Sequence, residues 1–131
     1  MRPMRLVATP GMFAVCQLTL DDALRAAARC ATPYFLAVTS DEASLVCLAE
    51  DVPSTVSAIE GGWALLRVVG ELDFGLVGVI ADISELLADA GIPIFVVSTY
   101  LTDYVMVKAN RLSGAVDALV TGGHIVDTVA Q

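Results

Sequence analysis

The sequence predicts an α+β fold of two consecutive βαββαβ units, each a four-stranded antiparallel sheet with its helices on one face. Three observations predict it. The stretch Ile92–Val107 is two apolar runs of strand character split by a polar knot from Ser98 to Asp103. Neither run can stay exposed, so both belong in a sheet with the knot at their connection. Upstream, Val77, Ile80, Ile83, Ser84, Leu87 and Ala88 recur at three- and four-residue spacing, the period of a helix with one apolar stripe. Finally, Val38–Leu48 aligns with Val97–Val107 at an offset of 59. In both copies an apolar strand ends in a hydroxyl pair, turns and resumes, and Ser44 falls where Asp103 stands.

In chain order, Phe13–Leu20 reads as a strand and Asp21–Arg29 as a helix capped by Asp21 or Thr19. Phe35–Thr39 and Ser44–Leu48 read as strands, and Ser54–Glu60 as a weak helical turn. Ala64–Gly70 opens the second unit as a strand. The helix Val77–Ala90 follows, with Asp82, Glu85 and Asp89 on its wet side and Gly91 as its stop. Pro93–Ser98 and Tyr104–Lys108 are strands, Leu112–Val120 is a helix ended by Gly122-Gly123, and His124–Thr128 is a last short strand. No Gly/Ser/Pro-rich linker separates the halves, which points to direct packing of an N-terminal unit, 1–61, and a C-terminal unit, 62–131.

The chain has 131 residues, enough for one domain or two small subdomains. At 56% hydrophobic and 17% charged residues, with a mean hydropathy of +0.75, it is unusually apolar. So short a chain cannot hide that much apolar surface alone, so some is expected in a subunit interface, as in a homodimer. The net charge is −8, and the seven basic residues are scattered from Arg2 to Arg111. Phosphate-backbone binding needs concentrated positive charge, so nucleic acid is not an expected partner. Cys16, Cys30 and Cys47 share no CxxC spacing and read as buried small hydrophobes. Met1–Arg5 and the apolar run behind it imitate a secretion signal. Pro10-Gly11 breaks that run and Val15 is too bulky for a lipoprotein cleavage site, so a cytoplasmic protein is expected. No run approaches the roughly 18 apolar residues of a membrane helix.

Chemistry concentrates in two loops of the second unit. Glu71–Gly78 joins its first strand to its first helix, and the Ser98–Asp103 knot leaves a neighbouring strand. A helix N-terminus there offers free N–H groups to an anion such as a carboxylate, and Gly75 and Gly78 let a ligand approach the backbone. Asp103 can take an ammonium or guanidinium, with Ser98, Thr99 and Thr102 completing hydrogen bonds and Tyr100 covering an apolar part. This combination suits a free amino acid.

These residues carry a resemblance. Gly70-x-Leu72-Asp73-Phe74-x-x-x-Gly78-Val79, then Ile92-x-Ile94-Phe95-x-x-Ser98-Thr99-Tyr100-x-Thr102-Asp103-Tyr104-x-x-Val107, resembles the tandem ACT-domain family of ferredoxin-like units. That family includes short bacterial proteins and is similar to the CASTOR-type cytosolic arginine sensors of animals. Thr39-x-Asp41-Glu42-x-Ser44-Leu45-Val46-Cys47, Val52-Pro53 and Gly62-Trp63 also fit the short members. The resemblance implies a non-catalytic, regulatory amino-acid-sensing module, usually dimeric. Its ligand is held against the strand–helix loop, at Phe74, Leu76, Val77, Gly78 and Val79, and against the turn, at Ser98, Thr99, Tyr100, Thr102 and Asp103. The arginine sensor has an acidic residue two before the helix glycine, where this chain has Leu76, which admits a smaller or neutral amino acid.

Other readings stand beside this one. Ser98-Thr99 and Thr102-Asp103 fit plain turn chemistry, in which side chains bond the local backbone. Asp73 fits a helix cap, Tyr100 and Tyr104 fit interface aromatics as well as they fit ligand lids, and Trp63 fits core or interface. A structural association module with a degenerate pocket and an unidentified protein partner is the alternative function. A small enzyme is weaker, because no general base is evident beyond Asp103 and nothing arranges a nucleophile, an orienting group and an oxyanion hole around His124. No metal-ligand spacing and no glycine-rich phosphate loop is present, so no metal or cofactor is expected.

Overall fold

The computed structural model describes residues 3–70 and 77–128. The chain divides into two compact units: a contiguous one, Gly11–Trp63, and a split one made of the residues up to Pro10 together with those from Ala64 on. Strands β1 (Arg5–Leu18) and β4 (Ala58–Val68) each run from one unit into the other. Among the described residues, no helix is long and apolar enough to cross a membrane.

In the contiguous unit, α1 (Leu20–Ala27) follows β1, and β2 (Phe35–Val38) and β3 (Ala43–Leu48) form a hairpin. The Thr19 hydroxyl accepts the Asp22 N–H at 3.2 Å, and Asp21 and Asp22 sit in the first turn, where the helix dipole favours negative charge. The sheet order is β2-β3-β1-β4. β3 pairs antiparallel with β1, from Phe13 against Leu48 to Leu18 against Ala43. The Ser57 N–H, just before β4, donates to the Gln17 carbonyl at 2.8 Å. Alternation along the strands puts Ala14, Cys16, Leu18, Leu45 and Cys47 on one face, under Ala23, Ala26 and Ala27 of α1. A 3-10 turn (Ala49–Asp51) follows β3.

The split unit contains α2 (Val79–Asp89), β5 (Phe95–Ser98), β6 (Asp103–Lys108), a second 3-10 turn (Ala109–Arg111), α3 (Leu112–Thr121) and β7 (Ile125–Asp127). Val79, Ile83 and Leu87 of α2 and Ala115 and Leu119 of α3 pack on Leu6, Leu66, Val68, Val105 and Val107, so both helices cover one face. That much matches the expected unit. The strand order does not: it is β7-β1-β4-β6-β5. The N-terminal end of β1 lies between β4 and β7, and β7 pairs with it in parallel, Arg5 against Ile125 through Val7 against Asp127. This sheet therefore has five strands rather than four, one of them drawn from the far end of the sequence.

A buried histidine anchors that insertion. His124 Nδ1 accepts the Met4 N–H at 3.0 Å, and its Nε2 lies 2.6 Å from Asp82 Oδ2. Because Nδ1 accepts, the ring proton sits on Nε2 and is donated to the carboxylate. One neutral imidazole so ties the first strand to α2 at the start of β7.

Several elements differ from the sequence expectation. β1 starts at Arg5 rather than Phe13, because Pro10-Gly11 does not end the strand: Gly11 takes φ +96°, open to glycine, and the strand continues. Residues 54–60 form no helical turn; the chain is irregular to Ser57 and β4 begins at Ala58. The repeat is also displaced by one. β2, β3 and the first 3-10 turn recur as β5, β6 and the second at an offset of 60, Phe35 with Phe95 and Ala49 with Ala109. Val38 faces Ala43 as Ser98 faces Asp103, so Ala43 rather than Ser44 answers Asp103. A one-residue slip exchanges the faces of every strand residue.

Burial pushes the Cys47 thiol up from its ordinary value of 9 to about 12, with Cys16 and Cys30 adding to the shift. Burial also raises Cys16. A folded-state pKa above the unfolded value favours the fold fully below pH 9, and that contribution is lost as pH rises from about 9 to about 12. Urea midpoints should therefore fall across this window, and less steeply in Cys47→Ala. Equal slopes in both proteins would remove the thiol as the cause. At Gly11 a Cβ would lie 2.7 Å from Leu48 Cδ2 on a backbone closed to side chains. Gly11→Ala is expected to lower unfolding free energy by about 1–3 kcal/mol, read by urea denaturation.

Candidate functional site

The Ser98–Asp103 knot closes the β5–β6 hairpin, with Ser98 paired to Asp103. The Thr99 N–H donates to the Thr102 carbonyl at 2.9 Å. The Thr99 hydroxyl donates to the same carbonyl at 3.1 Å and accepts the Thr102 N–H at 3.3 Å. Thr39 builds the same turn against Glu42 in the contiguous unit, N–H to carbonyl at 2.9 Å. There its hydroxyl accepts the Asp41 and Glu42 N–H groups, each at 3.2 Å. Turn chemistry thus accounts for the Thr99 hydroxyl.

Thr102 has a different task. Its side chain is buried, and its hydroxyl donates to the Val68 carbonyl at 2.7 Å. Val68 is the last residue of β4, so this bond fastens the knot to the point where the chain leaves for α2. Of the loop expected to meet the knot, Glu71–Gly78, residues 71–76 lie outside the described residues. Beside the bond lies a hollow of about 270 Å³, lined by Arg67, Gly70, Thr99, Leu101, Thr102 and Tyr104.

Of the residues singled out from sequence, Thr99 and Thr102 line this hollow. Gly78 caps α2 with φ +91° and no side-chain bond, and a Cβ there would meet nothing. Val77 beside it is 86% exposed, whereas Val79 is buried in the core. Ser98 is exposed at the end of β5, and Tyr100 projects from the tip of the turn, 76% exposed. Asp103 is half-buried, and strand alternation sends it to the face of Val105 and Val107, while Tyr104 points to the opposite face. Asp103 and the hollow are therefore on different sides of β6. Phe74 and Leu76, with Asp73 and Gly75, lie outside the described residues.

Sequence reasoning missed Arg67 and Leu101, and fitted Tyr104 equally to a ligand lid and to an interface aromatic. The signal at Arg67 was present: it is the lone charge in the run Ala64–Gly70, on the alternation face opposite Leu66 and Val68. Its guanidinium lines the hollow, and a guanidinium is a group that can pair with a carboxylate. Among the described residues, the lining of the hollow offers one guanidinium, two threonine hydroxyls and a tyrosine ring. Among the described residues, no cluster of three or more His, Cys, Asp or Glu could hold a metal ion.

Residues 58–121, from the first residue of β4 to the last of α3, match the ACT domain family. A crystal structure of a protein from Agobacterium tumefaciens superposes with a TM-score of 0.89 at 28% identity, over 100% of this chain and 97% of that one. A Vibrio cholerae protein of unknown function, described as a possible transport protein, gives 0.70 at 23% identity, over 91% and 89%. The ligand-free regulatory subunit of aspartate kinase from Thermus thermophilus gives 0.61 at 12% identity, over 88% and 94%. At these last two identities the likeness is one of fold. The fold is ACT-like, mixed α/β with a largely antiparallel sheet, and it is shared with regulatory regions of aspartate kinases.

The Thr102–Val68 bond is open to direct test. Thr102→Val keeps the shape but leaves the Val68 carbonyl without its buried donor. The expected cost is about 1–3 kcal/mol, read by chemical denaturation, with faster amide exchange at Thr99 and Gly70. A variant as stable as the parent would show that the knot is held by other contacts.

Proposed function

We propose that this chain is a non-catalytic regulatory module that binds a free amino acid in the split unit. One observation carries the reading: the ACT domain match spans every residue that lines the Arg67–Tyr104 hollow. The hollow's volume suits a single amino acid better than a drug-sized ligand. Arg67 takes the ligand carboxylate, the φ +99° turn at Gly70 allows backbone approach, and Thr99, Thr102 and Tyr104 line its flank. In this reading Val77 and Gly78 at the helix start and Ser98 and Tyr100 of the knot form the outer contacts, while Val79, in the core, and Asp103, on the other side of β6, stay clear of the ligand.

Each unit is read as one ACT repeat, as in the tandem arginine sensors, with the contiguous unit the degenerate copy. Binding becomes a signal when the ligand favours one of two states, here a homodimer or a complex with a protein partner. A second reading is a structural association module. It is favoured by the Thr99 hydroxyl being used within the turn, and by the exposed Val77, Tyr100 and Leu101 around it.

A thermal-shift screen against the standard amino acids tests the proposal, with Arg67→Ala and Asp103→Ala alongside. A ligand at ~100 times its dissociation constant adds about 2.7 kcal/mol and raises Tm visibly. The expected result is one hit or a small chemical group of hits, lost in Arg67→Ala and kept in Asp103→Ala, whose side chain lies on the other side of β6 from the hollow. Silence across the panel would favour the association module, and a hit unchanged by Arg67→Ala would remove the hollow as its site.

A further inference from the structure

The contiguous unit has no counterpart of α3. Past the two 3-10 turns the units diverge: Leu112 is helical (φ −60°, ψ −44°) and α3 starts at once, whereas Val52 is extended (φ −65°, ψ 122°). Val52 precedes Pro53, whose ring disfavours the helical conformation in the residue before it. Residues 52–57 then lead directly into β4.

The offset of 60 shows what this leaves uncovered. It matches Ala23 and Ala27 with Ile83 and Leu87, all buried, and so matches Asp22 and Ala26 with Asp82 and Leu86. On α2 that face is closed. Asp82 holds His124, and Leu86 approaches Gly122 so closely that a Cβ there would lie 2.5 Å from it. On α1 the matching face opens onto a cleft of about 420 Å³, lined by Asp22, Ala26 and Arg29 and, across from them, Glu50, Asp51 and Thr55.

The charges of this cleft are only partly used. Arg25 pairs with Asp21 at 2.9 Å, and Asp51 accepts the Ala31 N–H at 3.0 Å. Among the described residues, neither Arg29 nor Glu50 has an ion-pair partner. One cleft therefore presents an uncommitted guanidinium and an uncommitted carboxylate, with the hydroxyls of Ser54 and Thr55 in its lining. We propose that the vacated helix position in the contiguous unit is a ligand site for a small zwitterion, its carboxylate on Arg29 and its ammonium on Glu50. The site shares no residue with the Arg67–Tyr104 hollow and does not depend on it.

Amide NMR spectra of the full chain, titrated with the standard free amino acids at millimolar concentration, test the proposal. For each hit the N-acetyl derivative, which lacks the cation, and the amide, which lacks the anion, follow. The expected result is perturbation at Ala26, Arg29 and Thr55, with affinity lower by about tenfold or more for either derivative. Arg29→Ala and Glu50→Gln, both on the surface, should abolish these perturbations at an unchanged Tm. Perturbation confined to Gly70, Thr99 and Thr102, indifferent to Arg29→Ala, overturns the cleft and leaves the function proposed above intact. Perturbation at both places supports both sites, and none at either overturns both. Equal binding of a free amino acid and its N-acetyl derivative overturns the zwitterion assignment.

Discussion

The split unit depends on the backbone pairing of the first few residues of β1. A βαββαβ unit ordinarily closes its sheet by laying the last strand beside the first. Here β7 reaches β1 instead, and β1 fills the gap beside β4. Leu6 is fully buried in the resulting core, the Ile125 N–H donates to the Met4 carbonyl, and the Met4 N–H is taken by His124. Without that segment β7 has no strand to pair with, His124 loses one of its two partners, and the helices lose part of the surface they cover. The core under α3 is thus completed by a residue, Leu6, more than a hundred positions away from Ala115 and Leu119.

This constraint shapes where ligands can be held. The face of the sheet under α2 and α3 is filled with aliphatic side chains, and Val79 belongs to that filling. In the function proposed above, binding falls to the ends and margins: the knot, the strand exit at Gly70, and the helix start at Gly78. Thr102 fastens the knot to the end of β4, which in that proposal positions the site in advance of its ligand. In the contiguous unit one residue, Pro53, diverts the chain from helix to extended backbone, and polar side chains border the space left.

Much of the fold was legible in the sequence. From Ala64 onward, apolar alternation and helical spacing located the helices and strands of the described residues, though not the 3-10 turn at Ala109–Arg111, which has too few residues to show a period. The first half was harder. Pro10-Gly11 and Gly61-Gly62 look like punctuation, yet strands run through both, Gly11 and Gly62 taking positive φ within them. Parallel pairing between β1 and β7 leaves no local trace, since it joins residues some 120 apart. The repeat was visible, but matching hydroxyl to hydroxyl set it one residue off, and only the hairpin registers correct it. At the site, Thr99 and Thr102 were readable from composition. Arg67 stood out as the lone charge of its strand, but its relevance, like that of Tyr104, depends on which sheet face it occupies.

The division of β1 between the two units also sets an order on synthesis. The chain leaves the ribosome N-terminus first, so residues 11–63 emerge with all their own pairing partners and can fold early. The strand segment ahead of them has to wait, its apolar Leu6 unsatisfied, until Ile125–Asp127 arrive at the other end. Contacts of such long separation are slow to form, and the waiting edge is open to pairing with other chains. Arg5, whose guanidinium meets Asp127 at 2.7 Å once the strands join, puts a charge on that edge during the interval.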